Sequence, residues 1–179
     1  MRVETKRILL IGGPGTGKTS LISHFKSLGH TIFHEISREV TLAAKKKGID
    51  QLFLTNPILF SELLLKGRIS QFNDAPAVKK PVVFYDRGIP DVSAYMDFVG
   101  TTYPKKFTKA NTLYRYDNVF FLPVWKEIYQ SDNERYETLE QAIRIQDHLK
   151  QTYTNLGYSL IEVPFAPIEQ RGNFILNSL

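Results

Sequence analysis

Residues 12 to 19 read Gly-Gly-Pro-Gly-Thr-Gly-Lys-Thr, and this octet constrains the fold of the chain more than any other segment does. Glycines at 12, 15 and 17 permit turns that a Cβ would obstruct, so backbone N–H groups can converge on one anion. Such an anion gains most at the positive end of a helix. The loop therefore requires a strand before it and a helix after it. Both are present. Arg7 to Ile11 is a continuous apolar run ending at Gly12, the pattern of a strand buried on both faces of a parallel sheet. From Lys18 onward Leu21, Ile22, Phe25 and Leu28 recur at helical spacing, and Gly29 stands where a left-handed C-cap would stop the helix.

Strand and helix patterns alternate along the rest of the chain. Strands are predicted at His30 to His34, Pro81 to Tyr85, Val119 to Leu122 and Ser159 to Val163. Ser37 caps a helix running to Gly48, and Asn56-Pro57 reads as an N-cap followed by proline at the first helical position. Two helices thus separate the second and third strands, with a turn near Asp74-Ala75-Pro76. A long helix carries Leu139, Ala142, Ile143, Leu149, Tyr153 and Leu156 to a stop at Gly157, and a last one spans Pro167 to Leu176. This order predicts an α/β fold with a parallel sheet and right-handed crossovers. With 179 residues, 42% of them hydrophobic and 23% charged, one domain over residues 1–179 is expected. No apolar run approaches the ~20 residues a membrane helix needs. The N-terminus offers too short an apolar stretch for a secretory signal, so the cytoplasm is the expected compartment. The absence of cysteine excludes disulfides, thiolate nucleophiles and cysteine-held metals. Residues 1 to 110 carry 17 Lys+Arg against 9 Asp+Glu, net +8; the remainder carries 6 against 9, net −3. The basic portion suits a polyanionic partner, whether nucleotide, nucleic acid or the surface of an acidic membrane.

The loop implies a nucleoside triphosphate, with Lys18 reaching the β- and γ-phosphates and the Thr19 hydroxyl on Mg²⁺. Gly13, Pro14, Gly15, Thr16, Gly17, Lys18, Thr19 and Ser20 are the candidate ATP contacts. Asp86 ends the third strand, where a second Mg²⁺-organising carboxylate would act through water; its alternative is a turn or helix cap. Arg87 beside it either clamps an anionic acceptor or pairs with Glu35. Glu35 follows the second strand in His34-Glu35-Ile36-Ser37-Arg38 and can take a proton from an acceptor hydroxyl, with Arg38 holding charge nearby. A solvated pair at a helix start is the alternative. Arg135 and Arg144 follow the fourth strand, where a mobile segment could bring a guanidinium onto the transferred phosphate; solvated charges are again the alternative. The histidines lack metal-ligand spacing. Lys45-Lys46-Lys47 suits a solvated helix end, and no RNA- or DNA-binding motif accompanies it.

These segments, with Tyr85-Asp86-Arg87-Gly88-Ile89-Pro90-Asp91, Asp132-Asn133-Glu134-Arg135-Tyr136-Glu137, Gly157-Tyr158, Val163-Pro164 and Arg171, resemble the AAA_28 group of P-loop NTPases. That group is similar to nucleoside and nucleotide kinases, including the kinase domain of nicotinamide riboside kinases. It also includes an animal protein that binds GTP and phosphatidic acid. The resemblance implies a three-layer αβα sandwich with sheet order 2-3-1-4-5. It further implies acceptor-covering helices over 37–80, a lid over 124–138, and a base site bordered by Pro164 to Pro167. Asp86-Arg87 stands where a ring-forming AAA motor would need Asp-Glu. No aspartate follows a lysine by two residues, as the guanine-reading N/T-K-x-D motif requires, which favours ATP as donor. The expected function is Mg²⁺-dependent transfer of the γ-phosphoryl group of ATP to a small, nucleoside-like acceptor. The alternative is a nucleotide-dependent switch or ATPase with an anionic lipid or nucleic-acid partner.

Overall fold

Ile8, Leu9, Leu10 and Ile11 are completely excluded from solvent, which an apolar strand achieves only when layers of structure cover both of its faces. The computed structural model, described over residues 5–129 and 137–179, places that strand, β1 (Lys6–Ile11), at the centre of a five-stranded sheet. Its companions are β2 (Thr31–Phe33), β3 (Val82–Asp86), β4 (Asn118–Phe121) and β5 (Leu160–Glu162). The order is β2-β3-β1-β4-β5 and every pairing is parallel, the fold and order expected from the sequence.

Because successive side chains of a strand face opposite ways, the sheet divides its core in two. Leu9, Ile11, Val83, Tyr85, Val119 and Phe121 face Ala94 of α5 (Ile89–Phe98) and Ile145, Leu149 and Tyr153 of α7 (Leu139–Asn155). Ile8, Leu10, Phe84 and Phe120 face Leu21, Ile22 and Phe25 of α1 (Lys18–Ser27) and Ile175 of α8 (Ile168–Asn177). A third cluster joins α2 (Ser37–Lys46), α4 (Pro57–Asp74), α5 and α6 (Lys105–Leu113) through Ile36, Leu64, Leu65, Met96 and Phe107.

Local signals account for several boundaries. Asn56 Oδ1 accepts the Leu59 N–H at 3.1 Å with Pro57 at the first helical position, and Thr138 and Gln141 close a capping box at the start of α7. Other boundaries differ from expectation. Ser37 is the first residue of α2 rather than its cap. β2 is three residues long and pairs only with β3, because the edge position leaves it half-buried. Three helices, not two, join β2 to β3: a single turn, α3 (Leu52–Thr55), precedes α4, and the turn near Pro76 is a 3₁₀ helix over Ala75–Val78. Two helices, α5 and α6, were not anticipated between β3 and β4. α5 is buried over nearly its whole circumference, so it shows no amphipathic stripe.

Candidate functional site

Parallel pairing brings the carboxyl ends of the strands to one edge, where loops meet ligands. Leu10 of β1 is in register with Asp86 of β3, and Phe33 of β2 with Tyr85. The loop at 12–17, the Asp86-Arg87 corner and Glu35 therefore share that edge. The Arg87 N–H donates to the Leu10 carbonyl at 3.1 Å, tying the corner to the strand that feeds the loop.

Lys18 is almost fully buried and donates to the Gly12 and Gly13 carbonyls at 2.9 and 3.1 Å. Burial, and then the Arg87 cation, pull its ammonium down to about 8. Thr16 Oγ1 donates to the Gly13 carbonyl at 3.1 Å. Thr19 and Ser20 lie exposed on the first turn of α1, at its positive end. Gly15 has φ +73°, and a Cβ there would overlap the Tyr129 ring, which covers the loop from above. Gly17 has φ +81°, and a Cβ there would lie 2.7 Å from Arg171 Nη1.

Around the Asp86 corner the charges are tightly coupled. Arg87 Nε lies 2.8 Å from Glu35 Oε1, and Nη1 lies 3.7 Å from Asp91 Oδ1 and donates to the Tyr95 hydroxyl at 3.0 Å. Burial opposes the ionised form of Glu35, yet Arg87, Arg68, Lys18 and a hydrogen bond to Ser37 hold it down at about 2. Burial opposes the charge of Arg87 as well, and Glu35, with the other acidic neighbours, outweighs it. Asp86 is shifted the other way: burial raises it above the usual carboxylate range. Its Oδ1 is buried with no hydrogen-bond donor. Arg87 adopts a left-handed backbone, φ +68°, a strained conformation for a non-glycine residue that the surroundings must enforce. The corner is braced from behind. Arg68 Nη1 donates to the Gly88 carbonyl at 2.7 Å, and Asp91 Oδ2 accepts from the Gly88 N–H at 3.0 Å and the Tyr153 hydroxyl at 2.5 Å.

An orphaned, buried carboxylate oxygen at a strand end facing a phosphate loop fits a hydrated divalent cation. The hydroxyl of Thr19 is a hard oxygen donor of the kind Mg²⁺ prefers. Among the described residues no group of three or more His, Cys, Asp or Glu forms a protein-only metal cage, so such an ion would share these two residues with the ligand's phosphates and water.

The remaining candidates are more dispersed. Arg38 is exposed on the first turn of α2. Arg144 stacks its guanidinium 5.6 Å from the Phe98 ring, at the far end of α5 from Asp91. Pro164 is exposed after β5, and the neighbouring Phe165 ring meets Trp125 at 5.3 Å. Arg135 and the part of the expected lid at 130–136 lie outside the described residues. The segment ahead of them is held by the Val124 N–H on Gln146 Oε1 at 2.6 Å and the Tyr129 hydroxyl on the Glu137 carbonyl at 2.5 Å. A groove of about 330 Å³ between α2 and α4, lined by Ile36, Val40, Ala43, Leu63 and Gly67, begins next to Glu35. A wider hollow of about 710 Å³ near Gly48 to Leu59 has no phosphate-loop residue in its wall.

Sequence reading missed Arg68, Asp91, Tyr129, Tyr153 and Arg171 as parts of this site. For Arg171 one signal exists: it shares the inward stripe of α8 with Gly172 and Ile175, where a charge is out of place.

A family model described as "AAA domain", AAA_28, matches residues 7–171. No curated protein sequence matches the chain. Among solved structures, deoxyadenosine kinase from M. mycoides with products dCMP and dCDP bound has a TM-score of 0.71 at 16% identity, covering 96% of this chain and 97% of that one. Thymidylate kinase from Ehrlichia chaffeensis has a TM-score of 0.63 at 16% identity, covering 97% and 98%. At such identity the likeness is one of fold: a nucleoside- and nucleotide-kinase-like P-loop fold.

Proposed function

The chain belongs to the AAA_28 family, and on that premise we propose that it is a phosphotransferase moving the γ-phosphoryl group of ATP to a hydroxyl or phosphate of a small, nucleoside-like acceptor. One observation carries this reading: Lys18, Glu35, Asp86 and Arg87 form a single coupled charge cluster beside the phosphate loop. A loop that only held nucleotide would not need a carboxylate–guanidinium pair across from its lysine.

Each residue has a part. The loop from Gly13 to Ser20 cradles the phosphates, and Lys18 leaves the Gly12 and Gly13 carbonyls to meet the β- and γ-oxygens. Mg²⁺, held through Thr19 and Asp86, would neutralise charge between those oxygens. Glu35 is ionised throughout the physiological range, so it accepts and aligns the acceptor's hydroxyl hydrogen. At about 2 it is too weak a base to remove that proton early. A loose phosphoryl-transfer transition state needs little early proton removal, so alignment suffices. Arg87 keeps Glu35 oriented and, with Arg38, attracts an anionic acceptor. The helices over 37–80 cover that acceptor, and in the described part of the expected lid Tyr129 lies over the phosphate loop. Arg135, which would supply a guanidinium to the transferred phosphate, lies outside the described residues; Arg144 packs on Phe98, and Pro164 borders the base.

The test is ADP release from ATP and Mg²⁺ across a panel of nucleosides, nucleotides and small alcohols. Acceptor-stimulated turnover is expected; tight ATP binding without it for any acceptor would sink the proposal and leave a nucleotide-dependent switch. Lys18→Ala is expected to lower turnover about 10²- to 10³-fold, the cost of removing one preorganised electrostatic donor, and unchanged activity of the folded variant would refute the role of Lys18.

A further inference from the structure

Arg171 is 2% exposed, and no acidic side chain among the described residues pairs with it. Its charge is opposed by burial alone, and its Nε is buried without an acceptor. A buried cation without a counter-charge is costly. What it does touch is the phosphate loop. Nη2 donates to the Thr16 carbonyl at 3.0 Å across 155 residues of sequence, and Nη1 abuts Gly17. No peptide bond described is cis, so the Gly17 N–H, which belongs to the same peptide unit as the Thr16 carbonyl, points the opposite way, away from α8.

We infer that Arg171 is a positioning residue for the phosphate loop: by gripping the Thr16 carbonyl it aims the Gly17 N–H at a bound polyphosphate, whose negative charge compensates the buried guanidinium. The inference rests on the reading of the loop as a nucleotide site and adds a contributor from the C-terminal helix. A charge-assisted hydrogen bond at the oxygen end of a peptide polarises its N–H end, strengthening the donor just where an anion arrives. The missing side chain at Gly17 keeps this contact open, since a Cβ there would lie 2.7 Å from Nη1. Trp125, the chain's single tryptophan, has its ring 5.9 Å from the Arg171 guanidinium, which makes its emission a local reporter of the same event.

The experiment compares the full chain with Arg171→Gln and Arg171→Lys, titrated with ATP, ADP and inorganic tripolyphosphate by calorimetry and Trp125 fluorescence, with urea unfolding measured in parallel. Arg171→Gln is expected to weaken all three ligands about ten- to hundred-fold, the range for a hydrogen bond to a charged group. Arg171→Lys, which keeps charge without the fork, should fall between. A folded Arg171→Gln variant with unchanged affinity overturns the inference, and so does a loss confined to urea stability. Should that variant not fold, the Gly17 amide proton of the unsubstituted protein decides by NMR: a downfield shift on adding ADP is expected, and none overturns the inference. Tripolyphosphate binding that depends on Arg171 without acceptor-stimulated turnover would remove the phosphotransferase reading and leave this one standing. Absence of any nucleotide or polyphosphate binding would remove both.

Discussion

Lys18 rests on carbonyls of its own loop, and burial, then Arg87, hold it at about 8 against an ordinary value of 10.5. Its folded value is the lower one, so the unfolded chain binds more protons between those two pH values. Its contribution to stability therefore rises with pH across that window. A bound triphosphate reverses the balance by favouring the ammonium. At pH 8, where half of the Lys18 groups are neutral, Mg-ATP binding is expected to take up about half a proton. Calorimetry in two buffers of different ionisation enthalpy measures this directly; identical heats in both would contradict it. Asp86 carries the complementary strain, since burial lifts its pKa and leaves Oδ1 without a donor. Asp86→Asn removes a buried charge while keeping shape. The ligand-free variant should melt no lower than the parent, and the increment that Mg²⁺ adds to ATP stabilisation should vanish. An undiminished Mg²⁺ increment would take Asp86 out of the metal's surroundings.

At the scale of elements, helices brace the Asp86 corner from behind the strand that carries it. α5 and α7 run past each other so that Tyr153, late in α7, meets Asp91 at the start of α5, while Arg144, early in α7, meets Phe98 at the end of α5. Asp91 in turn holds the Gly88 N–H and faces Arg87. Tyr153→Phe deletes one hydroxyl and leaves the ring packed, so its cost isolates the hydrogen bond to a buried carboxylate. About 1–3 kcal/mol of unfolding free energy is expected, read from urea denaturation, and a loss below the error of the measurement would show the strut to be idle. Legibility differed among the elements for a physical reason. α1, α4 and α7 each carry a cap signal, a hydrophobic stripe or both, and these are local properties of sequence. α5 is apolar nearly all round, with only Pro90 and Asp91 to mark its start, and the one-turn α3 carries neither signal, so packing is what reveals them.

For the molecule as a whole, the phosphate loop is one of the least self-sufficient parts. Its carbonyls are held by Lys18 from within and Arg171 from α8, and Tyr129 covers it. A ligand that binds only this folded arrangement stabilises it by mass action, about 2.7 kcal/mol at a hundredfold excess over Kd. In a domain of this size that corresponds to roughly 5 to 10 °C in Tm. Thermal melts with ATP and Mg²⁺ should show such a rise, and none at saturating nucleotide would place the ligand elsewhere. The loop, its lysine, the buried central strand and the alternation that yields a parallel sheet were all legible in the sequence. They are encoded in contiguous residues whose backbone preferences and periodicity act locally. Which distant side chains brace the sheet edge was decided only by tertiary structure. The grip of Arg171 on Thr16 spans 155 residues and the bond from Tyr153 to Asp91 spans 62. No local pattern marks such pairs, because what couples them is the packing of α8 on α1 and of α7 on α5, which exists only once the sheet has assembled.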